Sequence, residues 1–152
     1  MTSPVCLAYE THGPDEHPWA PEPFEQRASG RHAATVRILV VDDELIVRSW
    51  IARILREEGF AVELATDGAE ALRVAREAPE EFDLVVTDVR MPGMDGWQLG
   101  RRVREEWPGV PVLYISGYDV HQSAPGPHAF LRKPFEADDL LRRVAELLRD
   151  RS

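Results

Sequence analysis

Residues 36–44 read VRILVVDDE, an apolar run that stops abruptly at three acids. The run from Val36 to Val41 is long enough for a buried strand. It is apolar almost throughout rather than alternating, the habit of strands covered on both faces of a parallel sheet. After the acids, Val47, Ile51, Ile54 and Leu55 share one face at helical spacing. Gly59 then stands where a helix end favours glycine. Phe60 to Ala65 reads as a second strand and Thr66-Asp67-Gly68 as a turn. Ala69 to Ala78 reads as a helix closed by Pro79. Leu84 to Thr87 is a third strand ending at Asp88, and Met91 to Gly96 is a loop. Trp97 to Trp107 is a helix with Leu99 and Val103 inward. Val112 to Ile115 is a fourth strand ending at Ser116, and Ala129 to Arg132 is a short fifth. Asp138 to Arg149 closes as a helix with Leu140, Leu141, Val144, Leu147 and Leu148 on its apolar face.

Strands alternating with helices imply an α/β fold, a doubly wound parallel sheet with helices on both faces. Right-handed crossovers leave few topologies. A five-stranded flavodoxin-like sheet of order 2-1-3-4-5 is the expected one, with its ligand site at the carboxyl ends of the strands.

The whole chain has 152 residues, about one domain's worth. Its 27 acids against 18 bases give a formal net charge of −9, which argues against a basic nucleic-acid-binding face. No run approaches the ~18 apolar residues of a membrane span. The first 30 residues lack a basic start and an apolar stretch, so no secretory signal is expected. The single cysteine, Cys6, fits a reducing, cytoplasmic setting. Residues 1–35 carry five of the 12 prolines and no apolar period, and read as a disordered or loosely attached arm ahead of a domain over 36–152. His12 and His17 near Cys6 are too few and too loosely spaced for a metal site. Of the 18 basic residues, only Lys133 is lysine.

Polar residues gather where the expected sheet puts its site. The first strand ends in Asp42 and Asp43, the third in Asp88, the fourth in Ser116 and the fifth in Lys133. Each alone has a plain role. Asp42 or Asp43 can cap a helix, Asp88 can open a turn, Ser116 can belong to a loop and Lys133 can be a solvated charge. Their joint placement points to a site. Strands 1 and 3 are neighbours in the expected order, so three carboxylates converge and repel. A hard divalent cation resolves the repulsion, and oxygen ligands with room for waters suit Mg²⁺. A carboxylate beside a metal, a hydroxyl and an ammonium suits phosphoryl transfer through an acyl phosphate. No Walker-type glycine loop is present, so a nucleotide is not the evident donor.

The segments VVDDE (Val40–Glu44), VVTDVRMPGMDG (Val85–Gly96), LYISGY (Leu113–Tyr118) and FLRKPF (Phe130–Phe135) closely resemble the receiver domain of two-component response regulators. The resemblance covers roughly Arg37 to Arg149 and implies the CheY-like form of the flavodoxin-like sheet. It implies that Asp88 is the phosphoacceptor, charged from a phosphohistidine on a sensor histidine kinase or a histidine phosphotransfer protein. Asp42, Asp43 and Asp88 would hold Mg²⁺ with the backbone carbonyl of Arg90. Ser116 would hydrogen-bond the phosphoryl group and Lys133 would pair with it. The Lys133–Pro134 bond would be cis, the one kind of peptide bond where cis is inexpensive. Phe130 matches the aromatic that reports the state of Ser116, although a core role alone explains it equally well. Such a receiver is not an enzyme beyond its own phosphorylation and dephosphorylation.

Two departures from the family stand out. Only 13 residues separate Ser116 from Phe130, among them Pro125, Gly126 and Pro127, so the family's helix between strands 4 and 5 is expected to be shortened or absent. No output domain is expected after the closing helix. The expected function is therefore that of a stand-alone receiver, signalling by protein–protein contact or onward phosphotransfer. Two alternatives differ in kind. One is an aspartyl-phosphate phosphohydrolase of haloacid-dehalogenase type, which usually wants an acid where Arg90 stands. The other is a degenerate receiver acting as a passive interaction module, against which the intact Asp43, Asp88, Ser116 and Lys133 argue. Trp50, Trp97 and Trp107 are expected to serve packing.

Overall fold

A computed structural model of the chain describes residues 35–117 and 128–151. The elements run β1 (Arg37–Val41), α1 (Leu45–Glu57), β2 (Ala61–Ala65), α2 (Gly68–Glu77) and β3 (Leu84–Asp88). They continue with α3 (Gly96–Glu106), β4 (Val112–Ser116), β5 (His128–Arg132) and α4 (Ala137–Arg151). The five strands form one parallel sheet of order β2-β1-β3-β4-β5, as the alternation of elements predicts. The expected arm and residues 118–127 of the expected short connection lie outside the described residues.

Two apolar layers hold the sheet. One strand face presents Ile38, Val40, Leu84, Val86, Leu113 and Ile115 to α1 and α4. The other presents Leu39, Val41, Val85, Val112 and Tyr114 to α2 and α3. Alternate residues of one strand thus enter opposite layers, and both faces are covered. That is why β3 and β4 are buried along their whole length and carry no polar alternation.

Local chemistry sets the helix starts. Thr66-Asp67-Gly68 is less a free turn than a cap. Asp67 accepts from the Glu70 N–H, and Glu70 accepts in return from the Thr66 N–H. At α3, Asp95 and Gln98 form a full capping box. Its first residue, Gly96, donates from its N–H to the Val89 carbonyl at 2.8 Å. A side chain there would overlap the Asp88 carbonyl oxygen, so glycine lets α3 start directly beside the end of β3. Gly59 ends α1 with φ +99° and Gly93 turns the β3–α3 loop with φ +74°. No helix among the described residues is long and apolar enough to cross a membrane.

The expectation that all three tryptophans pack holds only in part. Trp97 stacks within 4.6 Å of Tyr114, and Trp107 is partly buried against the α2–α3 layer. Trp50 is 41% exposed and touches Phe135, with ring centroids 5.2 Å apart. The reason is the helical period. The buried stripe of α1 is Ile51, Ala52, Ile54 and Leu55, and Trp50 falls off it together with Leu45 and Ile46.

Candidate functional site

Parallel pairing carries the chemistry to one edge. Val41 is level with both Ala65 and Thr87, so the residues that follow β1 and end β3 leave the sheet side by side. One carboxylate oxygen each from Asp42, Asp43 and Asp88 lie within 4.8 Å of one another. Asp42 and Asp88 are buried, whereas Asp43 is exposed. Lys133 follows β5 and reaches back across the edge. Its Nζ lies 3.5 Å from Asp88 Oδ2, 3.9 Å from Asp42 Oδ2 and 4.0 Å from Glu44 Oε1. The Lys133 N–H donates to the Ser116 carbonyl at 2.8 Å, tying the ends of β4 and β5. The Lys133–Pro134 peptide is cis. Ser116 is buried at the end of β4, whose Ile115 is level with Asp88.

Asp42 is held unusually firmly. Its N–H donates to the Ala65 carbonyl at 3.2 Å, and its Oδ1 accepts from the Glu44 N–H at 2.8 Å. Its own carbonyl accepts from Arg48 Nη1 at 2.6 Å. Its Oδ2 is buried with no hydrogen-bond partner. A buried, unsatisfied carboxylate oxygen is costly, and here it sits within the three-carboxylate cluster. The donor set is all hard oxygen, and the orphaned atom wants a positive charge beyond Lys133. These residues fit a divalent cation.

Electrostatics agrees. Burial pushes the Asp42 carboxyl up to about 6, opposed by the Glu44 N–H and Lys133 and reinforced by Asp88 and Asp43. Burial likewise raises Asp88, against the pull of Lys133 and of the Arg90 N–H, which lies 3.4 Å from Oδ1. An acid whose pKa rises on folding binds its proton more tightly in the folded state. The stability it contributes is full below its unfolded value and is lost as pH rises through the folded value. For Asp42 the window runs from 3.8 to about 6. Its span corresponds to about 3 kcal/mol, at ~1.4 kcal/mol per pK unit. In metal-free buffer, thermal melting should show the wild type losing stability relative to Asp42→Asn as pH rises from 3.8 to about 6, with little further loss above that. Parallel melting curves across that range would show that ionisation of Asp42 is not the source.

The other expected residues separate. Arg90 contributes its N–H to Asp88. Phe130 is half-buried in an aromatic group, 5.3 Å from Trp97 and 5.6 Å from Tyr114 by ring centroids. Tyr114 in turn lies over Gly100 of α3, where a side chain would overlap its hydroxyl. Sequence reasoning missed Glu44 and Arg48. Glu44 could have been noticed as the third acid of the run. Arg48 bonds a backbone atom, which leaves no mark in the residue pattern.

Residues 38–145 match the family model of the response regulator receiver domain. The chain belongs to that family. The response regulator MprA of Mycobacterium leprae (strain TN) is 42% identical over 120 residues, covering 75% of this chain and 51% of that protein. The chain spans about half the length of the curated relatives it matches. Among solved structures, a response regulator receiver protein from Sinorhizobium medicae WSM419 is similar with a TM-score of 0.72 and 36% identity, over 78% of this chain and 98% of that one. The receiver domain of the hybrid histidine kinase CckA is 43% identical, with a TM-score of 0.66 over 74% and 98%. The response regulator protein TrrA from Thermotoga maritima, solved in complex with Mg²⁺-BeF, is 30% identical, with a TM-score of 0.68 over 74% and 99%.

Proposed function

We propose that this receiver takes a phosphoryl group onto Asp88 from a phosphohistidine of a sensor histidine kinase or histidine phosphotransfer protein. The single observation that carries the reading is Asp88 Oδ2, 3.5 Å from Lys133, inside a cluster whose one orphaned oxygen calls for a cation. Mg²⁺ suits that cluster, and the Mg²⁺-BeF complex of the similar TrrA supports the choice. Asp42, Asp43 and Asp88 would hold it with the backbone carbonyl of Arg90. The bound ion supplies positive charge for the oxygens of the transferring phosphoryl group.

The remaining chemistry belongs to the chain. An Asp88 carboxylate oxygen attacks phosphorus, a P–O bond forms and the donor's P–N bond breaks. The imidazole leaves and takes up a proton. Lys133 gives up part of its pairing with Asp88 and meets the phosphoryl oxygens as a point charge. Ser116, at the end of β4, donates its hydroxyl to the same group, and Phe130 follows the movement of that strand end. The output is protein–protein contact or onward phosphotransfer. Position 90 carries arginine rather than an acid, which sets the chain apart from the phosphohydrolase reading.

The donor protein needs a landing surface within reach of Asp88. Ile46 is 83% and Leu45 65% exposed on α1. Next to them, Val47, Trp50, Lys133, Pro134 and Phe135 line an open cavity of about 430 Å³. Exposed large apolar side chains grouped beside a reactive residue mark an interaction face. Ile46→Glu should leave phosphorylation by a small phosphodonor unchanged. It should slow transfer from a phosphohistidine protein at least about tenfold, a loss of ~1.4 kcal/mol. Equal transfer rates to the two proteins would place the donor elsewhere.

A further inference from the structure

Arg48 lies outside the carboxylate cluster but touches the frame that carries it. Asp42 has four polar groups. Its N–H is tied to β2, its Oδ1 to the Glu44 N–H, and its Oδ2 is the orphan. The fourth, its carbonyl, belongs to the peptide that leads into Asp43. Arg48 Nη1 donates to that oxygen at 2.6 Å. With the other bonds made, the tilt of this peptide sets the direction in which Asp43 leaves the strand. Arg48 is itself anchored, since its N–H bonds the Glu44 carbonyl at 2.9 Å as α1 begins. Its charge is felt by Glu70 at the start of α2, where that carboxylate also accepts from the Thr66 N–H and hydroxyl.

We propose that Arg48 is a positioning residue for the cation site: by fixing the Asp42–Asp43 peptide it presets two of the three carboxylates for the ion. The inference rests on the Mg²⁺ site proposed above. Charge alone predicts the opposite sign, because a guanidinium beside a cation site repels the cation and its removal should tighten binding. Groups that orient ligands from outside typically contribute about 10–100-fold to metal affinity.

The test is a calorimetric Mg²⁺ titration of the full chain as wild type, Arg48→Met and Arg48→Lys. Methionine keeps the apolar stem and removes charge and donors. We expect about tenfold weaker binding in Arg48→Met, with part of the loss recovered in Arg48→Lys, whose ammonium can still donate one bond. Phosphorylation of Arg48→Met by a small phosphodonor should need correspondingly more Mg²⁺ and reach the wild-type rate once the ion saturates. Should Arg48→Met melt below the assay temperature, Arg48→Gln, which keeps an amide donor but no charge, replaces it with the same expected direction and a smaller loss. Binding equal to or tighter than wild type overturns the proposal, as does a reduced rate that saturating Mg²⁺ leaves unrestored. Absence of Mg²⁺ binding by the wild type would remove the site itself and this inference with it. Wild-type binding with unchanged Arg48→Met removes only the role of Arg48.

Discussion

Asp88→Asn will take up no phosphoryl group from either a small phosphodonor or a phosphohistidine protein, while remaining folded. The amide is close to the carboxylate in shape and still accepts from the Arg90 N–H. Folding should be helped rather than harmed, because burial raises Asp88 and an ionised carboxylate at that depth is costly. The reaction, by contrast, loses its nucleophile. An amide oxygen has no charge to bring to phosphorus and cannot form a stable acyl phosphate. Label in this variant should fall to background at every donor concentration. Label of wild-type extent would move the acceptor away from Asp88, and mapping it to Asp42 or Asp43 would identify a different member of the same cluster.

Withdrawal of Mg²⁺ by a chelator should come close to that effect in the unaltered protein. Three carboxylates crowd the position where a phosphoryl group arrives with negative charge of its own. Lys133 alone offers one positive charge, already divided among Asp88, Asp42 and Glu44. A bound divalent ion contributes several kcal/mol to such a transition state, so chelation should slow phosphorylation on the order of 10³-fold. Returning Mg²⁺ should restore the rate, with the ion also raising the melting temperature as a ligand of the folded state. A rate indifferent to the chelator would show that phosphorylation needs no cation.

Much of this was legible in the residue pattern, for reasons the structure makes plain. The strands are short and covered on both faces, so Leu84–Thr87 and Val112–Ile115 appear as unbroken apolar runs. Parallel strands all end at one edge. Polar residues that close the runs therefore become neighbours, and Asp42, Asp43, Asp88 and Lys133 follow from topology alone.

What stayed illegible depends on tertiary geometry. Helical spacing groups Val47, Ile51, Ile54 and Leu55 on the core face of α1, but it does not tell that the apolar Leu45, Ile46 and Trp50 off that stripe meet solvent rather than another element. The aromatic group of Trp97, Tyr114 and Phe130 is assembled from α3, β4 and β5, so its parts are visible in sequence but not their meeting. Arg48 bonds a carbonyl, an acceptor that every residue owns. The exchange of a turn for a cap at Asp67 is subtler. Asp and Gly favour both, and only the return bond from Glu70 decides it.

Asp88 is proposed to carry the phosphoryl group. The most direct test is to phosphorylate the wild-type protein with a small phosphodonor and Mg²⁺, reduce the acyl phosphate with borohydride, and locate the product by peptide mass spectrometry. Reduction converts an aspartyl phosphate to homoserine and leaves ordinary aspartate untouched. Homoserine is expected at position 88 and aspartate at 42 and 43. Homoserine at either of those positions instead, or at none of the three, would contradict the assignment of Asp88.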